Sequence, residues 1–198
     1  MLLPFMRDGI PEAGCDEAGR GCLCGPVACA AVILPVGFQC PELNDSKQLT
    51  ARKRELLRPY IEKEALAWSV VMVEAEEIDQ INILKASIAG MHRAIDNLKI
   101  RPHHIIVDGN RFYPYRDPET FMEIQHTTVV KGDGKYMAIA AASILAKTHR
   151  DELMAHYNEL YPGYGWDRNA GYPTKEHREA IKKLGITPIH RKTFRLDS

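Results

Sequence analysis

Apolar positions recur along this chain with two periods, and the periods divide it into strands and helices. Residues 12–16 and 25–34 are short, apolar and joined by a glycine-rich turn, which predicts an antiparallel hairpin. Residues 66–74 (Leu-Ala-Trp-Ser-Val-Val-Met-Val-Glu) form a third strand candidate. Between these, Thr50 caps a predicted amphipathic helix over residues 51–64, with Leu56, Leu57, Tyr60 and Ile61 expected on its inner face. A clearer helical stripe follows in Ile83, Leu84, Ile88, Met91, Ile95 and Leu98, at three- and four-residue spacing. Ile105, Ile106 and Val107 then make a continuous apolar run, the pattern of a central strand covered on both faces. Residues 121–130 alternate more and predict a fifth strand. From Gly134 a long helix is predicted to about residue 160. Its small residues let a backbone lie close to a sheet. A Pro/Gly-rich break over 161–173 precedes a last short helix capped by Thr174 and ending near Gly185. Strands interleaved with helices give an α/β layer fold with a mixed sheet, expected as one unit over residues 1–198 with a core of about 10–160 and a helical extension of about 161–198.

Composition changes this picture little. The longest apolar run, residues 27–36, falls short of the roughly 18 to 20 residues of a membrane span. The first residues lack a signal-peptide pattern, so a cytoplasmic protein without membrane contact is expected. The five cysteines (Cys15, Cys22, Cys24, Cys29, Cys40) include no CxxC pair and no histidine at zinc spacing. Reduced, packed thiols are expected, and zinc is not.

Charge is informative only by its distribution. Lys plus Arg number 26 and Asp plus Glu 26, yet from Arg168 to Ser198 eight basic residues stand against three acidic ones. Such a tail can neutralise phosphates and release their counterions; a solvated helix face explains the same charges.

The chemistry concentrates in Asp16-Glu17-Ala18-Gly19-Arg20-Gly21. Neighbouring strand residues point to opposite faces, so Asp16 and Glu17 converge on one ion only where the pleat ends. Gly19 and Gly21 permit that turn and let main-chain amides approach a sugar or phosphate, while Arg20 offers a positive fork. Two carboxylates are too few for a cation that prefers six oxygens. Asp108, ending an apolar strand before Gly109, and Asp133, in Lys131-Gly132-Asp133-Gly134, are the further candidates. Each alone reads more readily as a turn residue than as a ligand; in combination the four make a cage for two metal ions. Asp151 is a rival, set aside because it lies about 25 Å along the helix that starts near Gly134.

Eight blocks in order, DEAGRG (16–21), NDSKQL (44–49), VDGN (107–110), KGDGKY (131–136), AAASILAK (140–147), RDELM (150–154), GYPTKEH (171–177) and HRKTF (190–194), resemble the ribonuclease HII family from about residue 10 to 195. The resemblance implies a ribonuclease H-like fold with a five-stranded mixed sheet and a small helical C-terminal extension. It places the family's metal-binding carboxylates on Asp16, Glu17, Asp108 and Asp133, its substrate-reading loop on Gly19, Arg20 and Gly21, and its substrate-contacting tyrosine on Tyr172. It further implies an endonuclease that uses two Mg²⁺ or Mn²⁺ ions on RNA–DNA hybrids and on DNA duplexes containing ribonucleotides. Lys47, Arg191 and Lys192 are expected to meet phosphates. The chain departs from the family pattern at Cys22-Leu23-Cys24, where a proline commonly follows GRG. The tail carries no clear sliding-clamp motif, and a monomer is expected. A binding module without catalysis, or a metal nuclease or phosphatase of other specificity, would share part of this pattern.

Overall fold

The computed structural model describes residues 2–43 and 48–196. Lys47, one of the expected phosphate contacts, lies outside the described residues. The predicted hairpin forms from β1 (Glu12–Ala18) and β2 (Val27–Ile33), antiparallel with Glu17 opposite Cys29. β3 (Ala67–Val73) adds antiparallel to β2. β4 (His104–Asp108) lies parallel to β1 on its other side, and β7 (His126–Val129) lies parallel to β4. The five strands run β3-β2-β1-β4-β7, a mixed sheet.

Alternation along the inner strands sorts two hydrophobic layers. Ala28, Ala30, Val32 and Ile106 face α1 (Ala51–Glu64) and α4 (Met137–Leu160), while Ala13, Cys15, Cys29, Ile105 and Val107 face α3 (Ile83–Asp96). α2 (Ala75–Ile81) leads into α3 through Asn82, whose side chain caps α3 by accepting from the Leu84 and Lys85 amides. The small residues of α4 have the consequence anticipated: a Cβ on Gly14 would stand 2.5 Å from Ile139 N and 2.6 Å from Ala138 O, so helix and strand touch backbone to backbone.

Three local expectations are corrected. On α1 only Leu57 and Ile61 are buried; Leu56 is 68% and Tyr60 40% exposed, because a helical step of about 100° carries their neighbours off a narrow stripe. Residues 121–130 do not form one strand. Phe121 takes a left-handed conformation (φ 59°) in a turn that Asp117 caps, so β6 (Glu123–Ile124) pairs with β5 (Tyr115–Arg116) and only β7 joins the main sheet. The long helix begins at Met137 after a 3-10 turn, Gly132–Gly134. Among the described residues no helix is long and apolar enough to cross a membrane.

The last segment holds α5 (Trp166–Asn169) and α6 (Lys175–Leu184, capped by Thr174). Trp166, Tyr164, Ala180 and Ile181 pack with Leu23, Cys24 and Met154, which seats this segment behind the turn that follows β1.

Candidate active site

β1 extends two residues beyond the predicted end, so Asp16 and Glu17 both lie inside the strand, paired with Ala30 and Cys29. They therefore face opposite sides of its edge. Asp16 points toward α4, where the Ser143 hydroxyl hydrogen-bonds its carboxylate, and Oδ1 also accepts from the Glu17 amide at 2.7 Å. Glu17 accepts from Arg20 Nη1 at 3.1 Å. Parallel pairing of Cys15 with Val107 brings Asp108 alongside Asp16 at the carboxyl end of β4. Asp108 Oδ1 is held by the Gly132 amide at 2.6 Å.

The electrostatics follow from this placement. Burial, then the charges of Glu17 and Asp108, push Asp16 well above the usual carboxylate range, although Ser143 and the Glu17 amide oppose the rise. Three acidic side chains, Asp16 and Glu17 from β1 and Asp108 from β4, thus stand close together, with Arg20 paired to Glu17. Asp133 is buried at 1% exposure in the 3-10 turn, one residue past the amide that holds Asp108. It adjoins Asp108 through that turn and is not among the residues that line the open cleft.

That cleft is lined by Asp16, Glu17, Gly19–Gly21, Asp108 and Tyr172, together with Arg54, Ser143 and Lys147, which sequence reasoning did not single out. Ser143 and Lys147 were visible in principle: they are polar residues four apart in an otherwise apolar helical run, so they share a face. Asp151 also stands nearer than its count from Gly134 suggested. The cleft lies beside the middle of α4, and Asp151 is two turns past Ser143, about 12 Å along the axis, where it pairs with Lys147 at 2.7 Å. Tyr172 is 39% exposed, with Lys147 Nζ 5.7 Å from its ring centroid.

Gly19 is left-handed (φ 90°), and a Cβ there would meet the Arg150 side chain, its Cδ at 2.6 Å. Of the basic tail, Lys192 is exposed, with its amide bonded to Asp79 at 2.8 Å. Arg191 corrects the expectation of a phosphate-facing side chain. It is fully buried and donates from Nε to Gly25 O at 3.0 Å and from Nη1 to Arg20 O at 2.9 Å, because its main chain is tied to Leu23 O.

The fold also gathers Cys24, His177 and His190, far apart in sequence and all buried, with one ligand atom from each within 4.8 Å of the others. His177 spends its Nε2 lone pair on the Trp166 indole N–H (3.0 Å), and Arg150 and Arg191 place positive charge beside Cys24. Those features make the trio a polar packing cluster unsuited to a cation.

The model of the family described as Ribonuclease HII matches residues 13–197. The ribonuclease HII of Parabacteroides distasonis is 64% identical over 99% of this chain and 96% of its own. The solved ribonuclease H2 of Pyrococcus horikoshii superposes with a TM-score of 0.76 at 29% identity, over 94% of this chain and 95% of that one. The ribonuclease HII of Archaeoglobus fulgidus, solved in complex with PCNA, gives 0.76 at 26% identity over 96% and 97%.

Proposed function

Since the chain belongs to the ribonuclease HII family and is a ribonuclease H enzyme, we propose that it hydrolyses the RNA strand of RNA–DNA hybrids and also cuts on the 5′ side of ribonucleotides embedded in duplex DNA. The observation that carries this reading is the buried crowding of Asp16, Glu17 and Asp108 beside the Gly19–Gly21 turn. The donor set fits hard divalent cations: oxygen ligands only, converging from two strand ends, with a mutual repulsion that a cation would relieve. Asp16, Glu17 and Asp108, with Asp133 from the adjoining turn, would hold two Mg²⁺ or Mn²⁺ ions. Bound there, such ions supply an activated water and stabilise the departing 3′ oxygen, which gives 5′-phosphate and 3′-hydroxyl ends.

The chain's own groups do the rest. Ser143 orients the Asp16 carboxylate, and the Gly132 amide fixes Asp108. Gly19–Gly21 and Tyr172 line the cleft where a 2′-hydroxyl would distinguish RNA from DNA. Arg54 and Lys147 line the same cleft, and the exposed Lys192 lies in the basic segment; in this reading all three meet phosphates.

Asp16→Asn and Asp108→Asn test the assignment. Each should abolish hybrid cleavage in Mg²⁺ while the metal-free protein melts no lower than its parent, because a neutral amide removes repulsion from a buried acidic cluster. Undiminished cleavage by either variant would sink it.

A further inference from the structure

Two buried guanidiniums stand behind the Gly19–Gly21 turn, and neither meets a carboxylate among the described residues. Arg150 spends its donors on Pro26 O (2.9 Å), Ala170 O (2.8 Å) and Cys24 O (3.1 Å). Arg191 spends its own on Gly25 O (3.0 Å) and Arg20 O (2.9 Å). Burying a guanidinium without a counter-charge costs stability, and Arg191 Nη2 finds no partner among the described residues, so these contacts are not explained by stability alone. The Arg191 contact with Arg20 O fixes one geometry in particular. The peptide joining Arg20 to Gly21 is trans, as are all peptides described, so its N–H points opposite to its C=O. With Arg20 O drawn inward by Arg191, the Gly21 N–H is turned outward to the cleft that Asp16, Glu17 and Tyr172 line. That amide donates to no partner among the described residues.

The placement of Arg191 is itself secured from two sides, the antiparallel bridge to Leu23–Gly25 and the Asp79 side chain. The bridge between Cys24 and His190 is made by the Arg191 amide donating to Leu23 O at 2.9 Å and the Gly25 amide donating to Ile189 O at 2.8 Å, and Asp79 of α2 accepts from the Lys192 and Thr193 amides at 2.8 and 3.0 Å. The C-terminal segment thus reaches the substrate-reading turn through one side chain.

We propose that Arg191 is a positioning residue that sets the orientation of the Gly21 amide toward the ribonucleotide, acting from behind the turn and touching no substrate atom. The proposal rests on the reading of the cleft given above. Arg191→Met removes both carbonyl contacts, and Arg191→Lys keeps the charge but offers a single donor nitrogen in place of the guanidinium fork.

The experiment measures kcat and KM on a DNA duplex holding one ribonucleotide, and Mn²⁺ affinity by calorimetry, for the parent, both variants and the core control Ile95→Val. Arg191→Met should lose about tenfold or more in kcat/KM, the worth of one charge-supported hydrogen bond, with Arg191→Lys intermediate. Mn²⁺ affinity should stay within about twofold, since Arg191 does not touch the carboxylates, and Ile95→Val should cleave like the parent. Parental kcat/KM in a folded Arg191 variant, or an equal loss of metal affinity, overturns the proposal. A measurement on the parent decides independently of variant folding: the Gly21 amide resonance should shift when the same duplex is added in EDTA, and an unmoved resonance overturns it. A parent that cleaves no ribonucleotide substrate would instead sink the reading of the cleft.

Discussion

Replacing Gly14 by alanine tests how the sheet and the longest helix hold the site. The added Cβ would stand 2.5 Å from Ile139 N and 2.6 Å from Ala138 O, both main-chain atoms. Comfortable contact begins near about 3.5 Å, and main chain has no rotamer to change, so the first turn of α4 must retreat by about 1 Å. Overpacking of this kind costs about 1–3 kcal/mol, and a clash with main chain on a fully buried face belongs at the upper end. For a chain of this size each kcal/mol lowers Tm by about 2–4 °C, which predicts a fall of roughly 6–12 °C. Activity should fall too, because the same helix carries Ser143 to Asp16, and the turn before it carries the amide that holds Asp108. Circular dichroism melts and hybrid cleavage at 25 °C measure both. A Gly14→Ala protein that melts within about 2 °C of its parent would refute the claim that helix and strand are in direct backbone contact.

Two further predictions follow from the chain's polar groups. Tyr172→Phe keeps the half-buried ring and removes its hydroxyl, so cleavage at a single embedded ribonucleotide should fall by about tenfold with Tm unchanged; a variant as fast as its parent would remove Tyr172 from substrate reading. His190 is buried, and burial lowers it from 6.5 to about 4. The unfolded chain therefore takes up that proton below about pH 6.5 while the folded one does not. Its contribution is complete above that pH and is lost as pH falls toward 4, by roughly 3 kcal/mol. Denaturant unfolding of the parent and His190→Gln at pH 7 and pH 4.5 checks this: the stability difference between them should shrink at the lower pH, and a constant difference would contradict it.

The strands and helices that position the cleft could be read from periodicity because each buries a continuous face. The stripe from Ile83 to Ile95 and the run Ile105–Val107 have no other way to leave water. The grouping of Asp16, Glu17 and Asp108 could be read as well, because acidic residues toward the carboxyl ends of apolar strands stand out against what surrounds them, although β1 runs past Asp16 and Glu17. What escaped was information carried by contacts distant in the chain. Arg191 looks in sequence like any member of a basic tail; only the tie of its main chain to Leu23 sends its side chain inward. The Cys24, His177 and His190 cluster spans most of the chain and has no local spacing to betray it. Leu56 and Tyr60 failed for a different reason: α1 is bounded by solvent on a wide arc, and apolar identity alone does not say which side of a narrow stripe a residue takes. Ser143 and Lys147 were hidden in plain view, read as packing when their four-residue spacing marked a polar face.

The central claim is metal-dependent cutting directed by a 2′-hydroxyl. The most direct measurement is cleavage of a DNA duplex containing one ribonucleotide, in Mg²⁺, in Mn²⁺ and in EDTA, beside an all-DNA duplex of the same sequence. The account predicts a nick on the 5′ side of the ribonucleotide with either metal, none in EDTA, and an intact control. Cleavage that persists in EDTA, an all-DNA duplex cut at the same rate, or folded and metal-loaded protein that leaves the ribonucleotide untouched would contradict it.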